Sequence, residues 1–183
     1  SNDFDVVIPS RSLREFSAVF TDDIETVEIF FSASQILFRS ENISFYTRLL
    51  EGAYPDTDRL LTTQFDTEVV FKTTNLRQAM ERAFLVSNAT QNGTVKLEMT
   101  GDTVSAHVNS PEVGKVNEEL DTEELSGKDL TISFNPTYLI EALKALKSET
   151  VRVRFLSPVR PFTLTPGDDS ENFVQLITPV RTN

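Results

Sequence analysis

The chain has 183 residues, 39% of them hydrophobic, a formal net charge of −11 and no cysteine. That length allows one large domain or one and a half to two small ones with a real core, which argues against disorder. The sequence holds no run near the roughly 20 apolar residues of a membrane span, no export leader and no thiolate or disulfide chemistry, so a soluble, cytoplasmic protein is the expectation.

The first element is a short β-type run, Val6-Val7-Ile8, leading into a helix with Leu13, Phe16 and Phe20 on one face. Alternating strands follow at Val27–Phe31, Gln35–Phe38 and Ile43–Tyr46. Leu49–Phe65, rich in Asp and Thr with a lone Pro55, reads as a linker. A second run, Val69-Val70-Phe71, precedes a helix with Leu76, Met80, Ala83 and Phe84, then strands at Val95–Met99, Val104–Val108 and Gly114–Asn117. Glu118, Glu119, Asp121, Glu123 and Glu124 form an acidic stretch expected in a solvated loop, as do Asp168, Asp169 and Glu171. The third run, Thr131–Phe134, precedes a helix with Leu139, Leu143 and Leu146, then strands at Val151–Phe155, Phe162–Leu164 and Phe173–Ile177. Asn135-Pro136 supplies a cap and a first helical residue for that helix. Ser10 or Ser12, and Thr73 or Thr74, are the candidate caps of the other two.

Leu13, Leu76 and Leu139 stand 63 positions apart, so a β-α-β-β-β unit is written three times. The fold class is α+β, with helices on one face of antiparallel sheets. Two such units can bury each other's apolar faces, so the second and third are expected to form one domain. The first lacks a mate, which suggests a fragment that begins mid-domain.

Local sequence adds to this pattern. Thr47-Arg48-Leu49-Leu50-Glu51-Gly52-Ala53-Tyr54-Pro55-Asp56, Ser133-Phe134-Asn135-Pro136-Thr137-Tyr138-Leu139 and Leu176-Ile177-Thr178-Pro179-Val180-Arg181 resemble three signatures of the bacterial DNA sliding clamp, the beta subunit of DNA polymerase III, in its Gram-positive form. The resemblance covers essentially the whole chain. It implies the C-terminal half of the clamp's middle domain plus linker over 1–62, and a complete C-terminal domain over 63–183. The function it implies is processivity without catalysis: a homodimeric ring encircles duplex DNA and docks replicative polymerase, clamp loader and repair proteins through short peptides carrying a Gln and a Leu-Phe pair.

The resemblance also assigns residues. The peptide groove would use Pro55, Arg59 and Leu60 of the linker, Val159 and Pro161 of the last hairpin, and Leu176, Ile177, Thr178, Pro179, Val180 and Arg181 of the tail. Taken without it, Leu176 and Ile177 read as ordinary strand core. The family's groove also draws on a middle-domain loop outside this sequence, and Thr62 stands where relatives commonly carry proline. The DNA-facing cations would be Arg11, Arg14, Lys72, Arg77, Arg82, Lys144 and Lys147, although Glu15, Glu81 and Glu141 share the same helices and a solvated amphipathic face is the competing reading. Phe84, Leu85 and Val86 fall where the family makes its head-to-tail subunit contact; one or two of them would serve equally as core.

Enzyme chemistry has little support. The lone His107 lies in an alternating strand near no nucleophile motif, six scattered glycines make no phosphate loop, and one histidine without cysteine leaves only carboxylates for a metal. No cofactor is expected. The rival function is an α+β protein-interaction module that does not bind DNA.

Overall fold

The computed structural model describes residues 6–21, 24–52, 64–88, 93–111, 113–168 and 173–181. It divides into two compact units, Ser1–Asp56 and Thr57–Asn183.

The first unit is one repeat. Helix α1 (Ser10–Val19) is followed by an antiparallel meander of β1 (Glu28–Phe31), β2 (Gln35–Ser40) and β3 (Ile43–Arg48). Aromatic packing between helix and sheet supplies its core: the Phe16 ring lies 4.4 Å from Phe20, 4.6 Å from Phe38 and 6.1 Å from Phe45. Leu13, expected as the anchoring leucine, is instead 46% exposed, whereas its counterparts Leu76 and Leu139 are each 2% exposed. The difference has a physical cause. In the second unit the two helices pack on each other, and α1 is the one helix among the described residues of its unit.

The second unit holds two repeats. Its elements are β4 (Thr67–Lys72), α2 (Thr73–Ser87), β5 (Val95–Thr100), β6 (Thr103–Ser110), β7 (Gly114–Leu120), β8 (Glu124–Gly127), β9 (Leu130–Phe134), α3 (Pro136–Ala145), β10 (Thr150–Phe155), β11 (Phe162–Pro166) and β12 (Gln175–Ile177). They form a five-stranded sheet, β12-β11-β10-β4-β8, and a four-stranded sheet, β7-β6-β5-β9. One continuous core runs between them, including Phe71, Met80, Met99, Ile132, Phe134, Leu139, Phe155, Phe162 and Ile177. Ring contacts of 5.1 Å from Phe162 to both Phe134 and Phe155 tie the two sheets together.

The repeats interlock by exchanging lead strands. β4, which opens the second repeat, pairs with β10 of the third, and β9, which opens the third, pairs with β5 of the second. On its other side each lead strand receives a backbone bond from the chain that follows its own meander. The Glu123 N–H donates to the Val70 carbonyl at 2.8 Å, and the Val180 N–H to the Ser133 carbonyl at 2.7 Å. The first repeat makes the same bond, from the Leu50 N–H to the Val7 carbonyl at 2.8 Å. Val7, Val70 and Ser133 are spaced by 63. The expected strand Val6–Ile8 nevertheless forms no ladder, because the described residues of its unit offer no second repeat with which to pair.

Several local expectations are corrected. Glu118 and Glu119 lie in β7 and Glu124 opens β8, a strand that antiparallel pairing to β4 creates from part of the supposed acidic loop. Leu120 and Leu125 turn toward the core and Glu119 and Glu124 face outward, while Glu118, on the Leu120 face of β7, is half-buried and pairs with Arg82 of α2. Asp169 and Glu171 lie outside the described residues. Asn135 caps α3 as expected, accepting from the Thr137 N–H at 2.9 Å with Pro136 at the first position. Neither other helix has a side-chain cap. Thr73 donates instead to the Ser148 carbonyl at 2.8 Å, and Ser12 shares a 2.8 Å hydrogen bond with Thr47.

At Gly127, φ is +110° and a Cβ would overlap the Asp66 carbonyl oxygen and the Thr67 backbone. Gly127→Ala is therefore expected to cost about 1–3 kcal/mol, combining a strained φ with the loss of the close β4–β8 approach. Urea unfolding checks this: the midpoint should fall while the slope stays constant.

Candidate peptide edge and cationic helices

The tail is positioned by strand pairing. β12 joins β11 with Phe162 opposite Ile177, Thr163 opposite Leu176 and Leu164 opposite Gln175, which makes β12 an edge strand of its sheet. Alternation then separates the two apolar tail residues. Ile177 is 1% exposed and belongs to the core, while Leu176 is half-buried on the opposite face. Beyond β12, Thr178, Val180 and Arg181 are exposed and Pro179 is half-buried. The Val180 N–H bond to Ser133 holds this segment against β9, so the tail is fixed to both sheets.

The register also brings the β10–β11 hairpin to this end. Pro161 precedes Phe162 and Thr178 follows Ile177, so both lie one residue past the last ladder pair. Pro161 is half-buried and Val159 is 59% exposed in the turn. Leu176, Pro179, Val180, Pro161 and Val159 thus give one sheet edge several accessible apolar side chains. Arg181 supplies a cation beside them. An edge strand with apolar side chains on alternate positions can accept an extended peptide by backbone pairing and side-chain anchoring. Pro55, Arg59 and Leu60 lie outside the described residues.

The cations are mostly neutralised within the protein. Arg11 pairs with Glu15 at 2.9 Å, Lys72 with Glu123 at 3.6 Å, Lys144 with Glu81 at 3.7 Å, and Arg82 with Glu118. The Glu118 hydrogen bond holds Arg82 above the usual guanidinium pKa. Arg14 and Lys147 are exposed, and Arg77 is half-buried with an Nε that has no hydrogen-bond partner. Surface pairs of this sort contribute little to stability and are readily exchanged for a phosphate or a solvent ion. Sequence reasoning missed Glu118 as the partner of Arg82, since the two are 36 positions apart with no shared periodicity. It also missed Ser133 as the tail's anchor, although the 63-residue spacing from Val70 carried that signal.

On α2, Phe84 and Val86 are half-buried and pack against the core, while Leu85 is 74% exposed. His107 shares a 2.8 Å hydrogen bond with Asn117, within a β6–β7 pair. Among the described residues no helix is long and apolar enough to cross a membrane, and no group of three carboxylate or imidazole side chains is gathered as for a metal.

Residues 58–181 match the family model of the DNA polymerase III beta subunit, C-terminal domain, and residues 1–56 match that of the central domain. The chain belongs to the DNA polymerase III beta subunit family. It is 75% identical over 183 residues to the beta sliding clamp of Streptococcus pneumoniae serotype 4, covering all of this chain and 48% of that protein. It is 41% identical over 181 residues to the Bacillus subtilis beta sliding clamp, covering 98% and 47%. The crystal structure of the Streptococcus pneumoniae beta chain superposes with a TM-score of 0.90 at 75% identity, covering 100% of this chain and 48% of that one. The beta subunit from Streptococcus pyogenes gives 0.87 at 80% identity, covering 100% and 49%. This clamp-family chain spans about half the length of the curated relatives it matches.

The two tail residues can be separated by substitution. Ile177→Ala is expected to cost about 2–4 kcal/mol as a core cavity, and Leu176→Ala about 1 kcal/mol or less because its side chain is already partly exposed to water. Chemical denaturation of both variants checks this; equal losses would place both residues in the core.

Proposed function

We infer that this chain is part of a sliding clamp, a non-catalytic processivity factor of the cytoplasm whose closed dimeric ring encircles duplex DNA and holds polymerase, clamp loader and repair proteins nearby. The observation that carries this reading is the order of the family matches, central domain then C-terminal domain, across nearly the whole chain. Its mechanism is topological. A tethered enzyme gains effective concentration at the primer end without sequence readout.

The partner site would be the edge formed by β12, the tail and the β10–β11 hairpin; Pro55, Arg59 and Leu60 are assigned to peptide binding by the family resemblance alone. In support, Leu176, Pro179 and Val180 are accessible apolar groups on a strand edge, and Val180 is tied to β9 through its N–H. An extended peptide with a Gln and a Leu-Phe pair fits that chemistry: the Leu-Phe pair seats against apolar side chains, while backbone groups pair along the edge. DNA contact would come from Arg14, Arg77 and Lys147, together with Arg11, Lys72, Arg82 and Lys144 once phosphate competes with their glutamates. Contacts of this kind are sequence-blind and salt-sensitive, which suits a ring that must slide. Leu85, with Phe84 and Val86 beneath it, would supply the apolar part of a subunit contact.

Fluorescence anisotropy with a labelled peptide of this type tests the reading. Saturable binding is expected, with loss of binding when the Leu-Phe pair is replaced by alanine. Pro179→Ala or Arg181→Ala should weaken it about tenfold, or ~1.4 kcal/mol. Equal binding of the control peptide contradicts the reading. So does absence of binding by a chain extended to a whole central domain.

A further inference from the structure

The surface around the peptide edge departs in charge from the rest of the chain. Against a net charge of −11, residues 150–167 and 173–181, which hold β10, β11, β12 and the tail, contain Arg152, Arg154, Arg160 and Arg181 and neither aspartate nor glutamate. All four lie within the C-terminal domain match, residues 58–181. On the sheet, a single carboxylate serves two of them. Glu68 of β4 stands opposite Arg154 and accepts its Nε–H at 2.6 Å, and the Arg152 Nε lies 3.6 Å from the same carboxylate. The Gly167 carbonyl accepts a further bond from Arg152 at 3.0 Å, and the Arg154 guanidinium lies 4.6 Å from the centre of the Phe65 ring. Both guanidiniums are therefore held in place, and the pair keeps a positive excess.

The register relates these cations to the apolar edge. Leu176 stands opposite Thr163, and Thr163 opposite Arg154, so Arg154 shares the sheet face of Leu176 two strands further in, about 10 Å away. At the end of the sheet, Arg160 lies two residues before Phe162 and Pro179 two residues after Ile177, which are themselves opposite. The Arg160 N–H closes the hairpin turn on the Ser157 carbonyl at 3.4 Å, and its side chain is exposed. Arg181, also exposed, follows Val180. The accessible apolar groups of the edge are thus bracketed by arginine on the sheet face and at the hairpin end.

We propose that the peptide accepted at this edge is acidic, with carboxylate side chains flanking its Leu-Phe pair, and that Arg160 reads them with Arg154 and Arg181 to either side. This rests on the peptide reading of the edge and adds the charge of the ligand to it. A guanidinium stays ionised at any physiological pH and matches a carboxylate with paired N–H donors. Over most of its surface a chain of this net charge repels an acidic peptide, so the arginine patch is where such a ligand settles. A basic peptide is drawn instead to stretches such as Glu118–Glu124. Rim charges of this kind select the partner and raise the association rate more than they slow release.

Three labelled peptides test this, each with the Gln and the Leu-Phe pair but flanked by aspartate, asparagine or lysine, titrated with the chain extended to a whole central domain. The aspartate peptide is expected to bind more tightly than the asparagine peptide by about two- to fivefold per carboxylate, mostly through faster association, and the lysine peptide more weakly than either. The differences should collapse near 1 M salt, where screening acts within about 3 Å. Arg160→Glu should reverse the order of the aspartate and lysine peptides and leave the asparagine peptide unchanged, while Arg160→Lys should keep the original order. Equal affinity for the three flanks, with dependence on the Leu-Phe pair intact, overturns the proposal alone. So does an Arg160→Glu variant that weakens all three alike. An asparagine peptide that binds equally well with its Leu-Phe pair replaced by alanine overturns the peptide reading, and the proposal with it.

Discussion

The exchange of lead strands is the constraint from which the rest of the second unit follows. β4 and β9 each belong to one repeat by sequence and to the other by pairing, so neither sheet can be completed by one repeat alone. That arrangement brings α2 and α3 together, seals Phe134, Phe155 and Phe162 between the sheets, and leaves Ser133 able to take the Val180 N–H. The accessible tail is therefore a consequence of the interlock: a segment with few internal bonds is held because β9 is held.

The first unit provides the contrast within one molecule. With a single repeat described, its aromatic cluster closes the space between α1 and the meander, yet Leu13 and Ile29 stay about half exposed and Val6–Ile8 makes no ladder. The same local sequence pattern thus gives a buried anchor in one setting and an exposed one in another. Periodicity specifies which face is apolar, and tertiary partners decide whether that face is covered.

This explains how far the sequence was readable. Helices, meanders, the 63-residue period and the Asn135-Pro136 start were legible because they rest on local alternation and capping chemistry. β8 was not, because Glu124–Gly127 becomes a strand only by pairing with β4, and it directly follows an acidic stretch that reads as a loop. The missing caps of α1 and α2 have a similar origin: Ser12 and Thr73 found long-range partners that no local rule anticipates. At the candidate site, the tail residues were visible as a motif, but their division into buried Ile177 and half-buried Leu176 required the β11 register. The cations were visible individually. Their pairing with Glu15, Glu118, Glu123 and Glu81 came only from geometry.

The two repeats of the second unit are held as one cooperative body by their exchanged strands. Native-state hydrogen exchange tests it most directly, by comparing the opening free energies of amides in the β4–β10 and β5–β9 ladders. The most protected amides of both ladders are expected to open together, with the same free energy and the same dependence on low denaturant, and the Val180 amide to be protected although it lies beyond the last strand. Independent opening of one ladder while the other stays closed would contradict the interlock and, with it, the account of how the tail is held.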